Sequence, residues 1–304
     1  IIVIFKTIKS LLLIMKIIDT TTYFEEKLIM DIRFNILDKF VDHFIVCESA
    51  YSHSGIKKRI TFNKDDYPSF KHKISHLILK DEPFDIIKDF KNDYDVRLNS
   101  IKRIAAQRNF IQKNLINFSG DDYVIYSDND EIPNLKNFIF SDNLNKIILF
   151  KQKLFYYKFN LSIPHVPWFG SKACKIKDLK SIDWLRNIKN KIYSPLRLDI
   201  LFSNNKYSNI QIVHNGGWHF SNLKTINELE RKYLNDENHS EYEMLGHSTE
   251  RIKYNLENKV VNYNHGAKKN SSERFSATKL IKVENSSMPE YLMTNKDKFL
   301  KWFD

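Results

Sequence analysis

The chain has 304 residues, of which 42% are hydrophobic, and a formal net charge of +11. This size predicts one large α/β domain, or such a domain with a substantial C-terminal elaboration. The positive charge suits nucleic acid, an anionic membrane or a phosphorylated substrate, but the lysines are scattered rather than clustered, which argues against nucleic acid as a partner. The two cysteines, Cys47 and Cys174, exclude a disulfide framework and a zinc-binding spacing.

The N-terminus is mostly apolar but is interrupted by Lys6 and Lys9. Its longest uninterrupted run, residues 11–15, is too short to span a bilayer, and no small-residue cleavage site follows it. We therefore expect residues 1–14 to be a non-native or anchor-like extension and residues 15–304 to form a single domain. The expected location is cytoplasmic or membrane-associated, or a Golgi-like lumen for a eukaryotic secretory protein.

The first half of the domain, residues 15–135, alternates short β-branched or aromatic runs with segments whose apolar residues recur at helical spacing. In chain order we predict a strand at 16–19, a helix at 25–40, strands at 43–47 and 76–79, a helix at 99–115 and a strand at 123–126. Ser100 is the expected N-cap of the second helix. The polar segment 51–73 suits a loop that covers a ligand. This alternation predicts a doubly wound parallel sheet.

The second half, residues 136–304, has a different pattern. Aromatic, strand-like runs occur at 147–159, 173–176 and 210–213, and helical stretches are expected to dominate from Leu223 onward. Because no internal repeat or low-complexity linker separates the halves, we expect an acceptor-side elaboration of the same core rather than an independent domain.

A group of polar residues, Asp128-Asn-Asp-Glu131, follows the apolar run 123–126 directly. Ligands of open α/β sheets bind beyond the carboxyl ends of the strands, so these side chains are expected in the crevice. Their hard oxygen atoms suit Mg²⁺ or Mn²⁺ carrying substrate phosphates. The alternative is an acidic turn, since Asp and Asn favour turns and helix caps.

Two further clusters carry chemistry. Arg108 and Asn109 lie in the helix before the acidic segment, where an arginine fork suits a diphosphate, although a solvated helix face is the simpler alternative. In 214–221, paired glycines precede Trp218 and His219: the Trp can stack on a sugar ring, and the His can bind a metal or a phosphate. The alternative there is a glycine bend beside a core Trp. The group 239–242 is weak evidence alone.

Taken in this order, Gln107-Arg-Asn109, Asp128-Asn-Asp-Glu-Ile-Pro133, Gly217-Trp-His-Phe-Ser221 and His239-Ser-Glu241 resemble glycosyltransferase family 17. Its best-known members are the β-1,4-mannosyl-glycoprotein β-1,4-N-acetylglucosaminyltransferases that add the bisecting residue to N-glycans. The similarity covers roughly residues 15 to 303. This chain departs from the family by having Glu25-Glu26 before the first helix, where an Asn-Glu pair is usual, and Asn129 where an apolar residue is common.

The resemblance implies a GT-A-like, nucleotide-sugar-binding Rossmann-type sheet. It also implies an inverting transferase that uses UDP-N-acetylglucosamine, a glycan acceptor and a divalent cation, Mn²⁺ or Mg²⁺. The expected metal ligands are Asp130, Asp128 and His219. The residues expected at the donor are Asp19, Glu48, Arg108, Asn109, Asp128 and Trp218. The candidate bases are Glu241 and Glu131.

Two other functions remain open. A GT-A transferase of surface-polysaccharide synthesis, with a different donor or acceptor, shares nearly all of these residues. A non-enzymatic basic binding module would use the acidic group only as a turn.

Overall fold

The computed structural model describes residues 15–235, 239, 249–263, 273 and 276–304. Their strands are β1 (Ile17–Tyr23), β2 (His43–Ser49), β3 (Ile74–Leu79), β4 (Tyr123–Ser127), β5 (Glu131–Pro133), β6 (Ile147–Phe150), β7 (Lys153–Tyr156), β8 (Leu161–Ser162), β9 (Lys172–Lys175), β10 (Ile210–Val213), β11 (Gly217–Ser221), β12 (Val260–Val261), β13 (Thr278–Lys279) and β14 (Ile281–Lys282). The α-helices are α1 (Lys27–Leu37), α2 (Asp93–Phe110), α3 (Gln112–Leu115), α4 (Ile182–Asn187), α5 (Ile226–Asn235), α6 (Thr249–Asn258) and α7 (Glu290–Thr294). Short 3₁₀ helices lie at Lys64–Asp66, Lys71–Lys73, Phe140–Asp142, Ile176–Asp178, Leu198–Ile200, Asn285–Ser287 and Lys296–Trp302.

The main sheet has seven strands in the order β3-β2-β1-β4-β9-β6-β10. The first four of these are parallel to one another, which confirms the parallel arrangement predicted for the first half of the chain. The sheet as a whole is mixed, because β9 runs antiparallel to both β4 and β6. Strands from beyond residue 135 therefore complete the sheet that the first half begins.

Side-chain alternation along the central strands separates two apolar layers, one on each face of the main sheet. Ile18 and Val124 pack with Leu185 of α4 in one layer, whereas Val46 packs with Phe34 of α1 in the other. All five residues of β4 are buried, as a strand covered on both faces requires. This burial places the end of β4, and the half-buried residues 128–130 after it, at a fixed point at the carboxyl end of the strand.

A second sheet of five strands, in the order β14-β8-β7-β11-β5, lies next to that point. β5 begins at Glu131 and pairs antiparallel with β11, which carries Trp218 and His219. Gly217 has a φ of +131°, and a Cβ atom on it would lie 2.1 Å from the carbonyl oxygen of Ile132. The glycine thus lets β11 approach β5 closely. This corresponds to the glycine bend that the sequence analysis gave as the alternative for residues 214–221.

The N-cap predicted at Ser100 is wrong. Helix α2 begins at Asp93, and the side chain of Asn92 accepts a hydrogen bond from the backbone N–H of Asp95. Asn92 is followed by acidic residues in the first helical turn, and both features favour a helix N-terminus there. Ser100 is fully buried inside the helix.

The helix-rich C-terminal part is not confirmed. In the described residues after Leu223, α5, α6 and α7 are accompanied by the short strands β12, β13 and β14. Cys47 and Cys174 are free and buried. Across the described ranges, no helix is both long and apolar enough to cross a bilayer. The predicted extension, residues 1–14, lies outside the described residues.

Candidate functional site

A cleft opens at the carboxyl ends of β1 and β4, where the acidic segment was expected to lie. Four segments from the first half of the chain and α5 from the second half line it. The lining residues are Thr22, Phe24, Glu26, His53, Ile104, Gln107, Arg108, Asp128, Asn129, Asp130, Lys232 and Asn235. Of the acidic group, Asp128, Asn129 and Asp130 are in the cleft, whereas Glu131 is not among its lining residues.

Asp128 is held by cations and hydroxyls of the protein itself. Its carboxylate accepts hydrogen bonds from Nη2 of Arg108 at 3.1 Å, from Nε and Nη2 of Arg186 at 3.0 and 2.7 Å, and from the hydroxyl of Tyr126 at 2.7 Å. Burial opposes its ionisation, but Arg186 and Arg108 outweigh burial and hold the pKa of Asp128 well below its usual range. Asp128 is therefore an ionised anchor for two arginines.

Asp130 has a different environment, although it lies only two residues further. One carboxylate oxygen is 3.3 Å from Nε2 of His219, and the other is 3.8 Å from Nζ of Lys232. Burial opposes its ionisation, but His219 and Lys232 outweigh burial and lower the pKa of Asp130 to about 2. The backbone explains the position, since the N–H of Phe220 in β11 donates to the carbonyl of Asp130 at 2.8 Å. Pairing of β11 with the end of the acidic segment thus brings Asp130 to His219.

Glu131 is only 1% exposed, and both of its carboxylate oxygens are engaged. Oε1 accepts from the indole N–H of Trp168 at 2.6 Å and from Arg186 at 3.1 Å, while Oε2 accepts from the backbone N–H of Asp128 at 2.9 Å. A Cβ on Gly170 would lie 2.1 Å from the carboxyl carbon of Glu131. Glu131 as a catalytic base stays a prediction, and these contacts favour a structural role.

Arg108 lines the cleft, and it also connects α2 to α4. Its Nε donates to the hydroxyl of Tyr126 at 3.0 Å and its Nη1 to Asp183 at 3.0 Å. Asn109 makes a second connection, because its side-chain oxygen accepts from the backbone N–H of Asp183 at 2.9 Å. Asn109 therefore contacts the first turn of α4 and is not among the residues that line the cleft.

Asp19 and Glu48, predicted near the nucleoside, are bonded inside the protein. Asp19 is 1% exposed and accepts a two-pronged hydrogen bond from Arg33, at 2.7 and 2.6 Å. Glu48 is fully buried and accepts from Lys58 at 2.6 Å and from the backbone N–H groups of residues 61 and 62, each at 2.9 Å. Burial opposes ionisation of Glu48, but His76, whose Nε2 lies 3.6 Å away, and the hydrogen bond from Lys58 outweigh burial and lower the pKa of Glu48 to about 2. Glu48 thus anchors the polar loop that follows β2.

Trp218 and His219 point to opposite sides of β11. His219 faces Asp130 and stacks against Trp168, with ring centroids 4.5 Å apart. Its Nδ1 is buried and has no hydrogen-bond partner among the described residues. Trp218 lies in a second groove beside α1 and α7, where its indole N–H donates to the carbonyl of Ser287 at 2.8 Å. Trp218 is not among the residues that line the cleft.

Sequence reasoning missed three residues of this region. Arg186 binds both Asp128 and Glu131, but it lies 58 residues after Asp128 in a short helix with no motif to mark it. Lys232 lines the cleft from α5. Glu26 also lines the cleft and lies 3.2 Å from Nζ of Lys224; its position in the Glu25-Glu26 pair, where the family usually has Asn-Glu, was the available signal.

The last two predictions concern the candidate base Glu241 and the metal site. Glu241 lies outside the described residues, and His239 is the only described member of its group. Within the described parts of the chain, no set of three His, Cys, Asp or Glu side chains is arranged to hold a metal ion. Asp130 and His219 lie 3.3 Å apart, whereas Asp128 is directed toward arginines, so metal binding by these three residues stays a prediction.

Comparisons with known proteins bear on this site. The model of glycosyltransferase family 17 matches residues 7–301 of the chain. No curated protein sequence matches it. HddC from Yersinia pseudotuberculosis is similar in structure, with 12% sequence identity, coverage of 66% of this chain and 90% of HddC, and a TM-score of 0.29. HddC complexed with GMP-PN gives 13% identity, the same two coverages and a TM-score of 0.28. Structural likeness at this level carries no argument about function.

Proposed function

The chain belongs to glycosyltransferase family 17, and on this premise we propose that it is an inverting, metal-dependent transferase. Its donor would be UDP-N-acetylglucosamine and its acceptor a glycan. In this proposal the seven-stranded sheet is a GT-A-like donor-binding sheet, and the donor diphosphate lies in the cleft at the ends of β1 and β4.

The environment of Asp130 is the observation that carries the proposal. Its carboxylate lines the cleft, and its pKa of about 2 keeps it ionised at neutral pH. Among the described residues its ion-pair partners are a histidine and a lysine at 3.3 and 3.8 Å rather than an arginine fork. Such a carboxylate can exchange these partners for a cation at a lower cost than Asp128 can exchange two arginines.

The donor set fits a cation that arrives with the substrate. Mg²⁺ and Mn²⁺ sites often use one or two carboxylates together with substrate phosphates and water. Asp130 supplies a hard oxygen, and His219 supplies a nitrogen beside it. We propose these two as the protein ligands. Asp128 would act indirectly, by holding Arg108 and Arg186 in place at the site. Once bound, the cation would offset the negative charge of the departing diphosphate.

Cationic side chains around the cleft support the same reaction. Arg108 and Lys232 line it, and cationic side chains beside a leaving diphosphate stabilise the negative charge that develops on it. Desolvation opposes the charge of Arg108, but Tyr126 and Asp128 outweigh it and raise the pKa of Arg108 well above its usual value. Arg108 is therefore a permanent cation at this position.

The acceptor hydroxyl needs a base on the opposite side of the donor sugar, because inversion is a single in-line displacement. We keep Glu241 as the proposed base, since both oxygens of Glu131 are already hydrogen-bonded. For Asp19 and Glu48 we propose an indirect role: the ion pair with Arg33 and the anchoring of the loop after β2 hold the cleft walls in place.

Release of UDP from a panel of UDP-sugars tests the proposal. The purified protein is incubated with each donor, with and without glycan acceptors, in Mn²⁺, in Mg²⁺ and in EDTA. We expect turnover of UDP-N-acetylglucosamine that requires the cation and rises with a suitable acceptor. Turnover of another UDP-sugar with none of this one would overturn the donor assignment, and undiminished turnover in EDTA would overturn the metal dependence.

A further inference from the structure

The segment that follows α4, residues 189–206, protrudes as a closed loop, which we call the apolar loop. Its base is tied by backbone hydrogen bonds from the N–H of Lys189 to the carbonyl of Asn205, at 2.8 Å, and from Tyr193 to Tyr207, at 3.1 Å. Turns and the short 3₁₀ helix Leu198–Ile200 shape its tip. The loop is therefore a folded projection with a defined tip.

The tip presents large apolar side chains to solvent. Leu196 and Phe202 are each 90% exposed, and Leu198 and Leu201 are each 75% exposed. Isolated exposed leucines are common on proteins, but four large exposed apolar side chains within seven residues are a concentration of the kind that marks an interaction site.

The flanks of this tip are basic. The loop contains four basic residues and one acidic residue, Asp199. Asp199 pairs with Arg197 at 2.8 Å and with Lys206 at 2.7 Å. The guanidinium of Arg197 and the ammonium groups of Lys191 and Lys206 lie within 5.6 to 5.8 Å of the Tyr193 ring. The apolar tip thus emerges from a ring of net positive charge.

A second exposed apolar stretch has the opposite charge. In residues 81–95, Phe84, Phe90 and Tyr94 are 103%, 56% and 71% exposed, but this stretch contains six acidic residues and two lysines. An anionic surface would attract the apolar loop and repel this stretch. The charge pattern therefore selects one of the two apolar patches for an anionic partner.

We propose that the apolar loop docks this protein on an anionic lipid bilayer, with its tip in the interface and its basic flanks at the headgroups. Apolar side chains combined with Lys and Arg are the composition of segments that lie in the membrane interface. The loop begins directly after α4, whose Arg186 contacts Asp128 in the wall of the cleft. Docking would hold the cleft close to the bilayer, so an acceptor attached to the membrane would be within its reach.

Vesicle flotation with the full chain tests this proposal. Vesicles of phosphatidylcholine alone are compared with vesicles that also contain phosphatidylglycerol, at low and high salt, without donor or acceptor. The loop variant combines Leu196→Ser, Leu198→Ser, Leu201→Ser and Phe202→Ser. The matched control combines Phe84→Ser, Phe90→Ser and Tyr94→Ser, which removes exposed apolar side chains from the acidic stretch.

We expect the protein and the control to float with anionic vesicles, less at high salt, and the loop variant to bind at least about tenfold more weakly. The proposal would be overturned if the loop variant bound anionic vesicles as well as the parent protein did, or if neither the parent protein nor the control bound them. Light scattering tests the alternative that the loop contacts a second copy of the chain. If the parent protein is a dimer that does not bind vesicles and the loop variant is a monomer, the loop is an interface between two copies. Because the flotation experiment contains no donor or acceptor, a failure to bind vesicles does not bear on the transferase proposal, which UDP release tests separately.

Discussion

Asp128 and Asp130 are two residues apart, yet different basic side chains contact them. Asp128 binds two arginines and a tyrosine hydroxyl, whereas Asp130 lies beside a histidine and, at 3.8 Å, a lysine. A bidentate arginine contact holds a carboxylate more firmly than a single imidazole or ammonium contact. We infer that Asp128 maintains the structure of the site, whereas Asp130 is available to a ligand.

The largest expected effect comes from Asp130→Asn. The change keeps the shape of the side chain but removes the charge that the proposed cation needs, so we expect UDP release to fall by about a thousandfold. The measurement is UDP release with saturating donor and Mn²⁺. The control is Asp142→Asn, since Asp142 is exposed and we expect its activity to stay unchanged. Activity of Asp130→Asn close to that of the parent would remove Asp130 from the donor site.

Gly170→Ala tests the Asp128 side of the comparison. The new Cβ would lie 2.1 Å from the Glu131 carboxyl carbon, and Glu131 cannot move freely because Trp168, Arg186 and the Asp128 backbone hold it. We expect the free energy of unfolding to fall by about 3 kcal/mol. Urea denaturation measures it. Gly120→Ala is the control, since the three atoms nearest to its Cβ would all belong to Lys177, the closest of them at 3.3 Å. Equal stability of the two variants would show that the Glu131 contacts are not firmly held.

The pH dependence of stability sharpens the role of Asp130. Its folded pKa of about 2 is below its ordinary value of 3.8, so its contribution to stability is complete above about pH 4 and is lost as the pH falls to about 2. Near neutral pH the parent should therefore be roughly 2 kcal/mol more stable than Asp130→Asn. We expect this difference to disappear between pH 4 and pH 2 in urea titrations. A difference that does not change with pH would mean that His219 and Lys232 do not stabilise the charge.

The smallest expected effect is that of Trp218→Phe. Trp218 lies in the groove beside α7, whereas its neighbour His219 faces the cleft. We expect UDP release by Trp218→Phe to stay within about twofold of the parent, while His219→Asn loses about tenfold or more. Steady-state kinetics with varied donor concentration compares the two variants. A greater loss of UDP release by Trp218→Phe would indicate that Trp218 contacts the donor, as the sequence predicted.

Part of the fold and of the site could be predicted from the chain alone. The buried run of β4 identified the strand, and the rule that ligands bind beyond strand ends placed Asp128 and Asp130 in the crevice, where both line the cleft. Arg108 was found because it lies in the helix just before this strand. The cap at Ser100 was misplaced because Asn92, eight residues earlier, offers a similar cap beside a more acidic first turn.

The sequence by itself determined the parallel arrangement of the first half and the family, and it singled out the acidic segment that lines the cleft. These features depend on short-range patterns: apolar periodicity, polar residues after a strand, and motif order. The tertiary structure decided which carboxylate meets which partner. Arg186 reaches Asp128 across 58 residues of chain, and β11 brings His219 to Asp130 across 89. Such contacts are set by how strands pair and helices pack, which spacing along the chain does not encode.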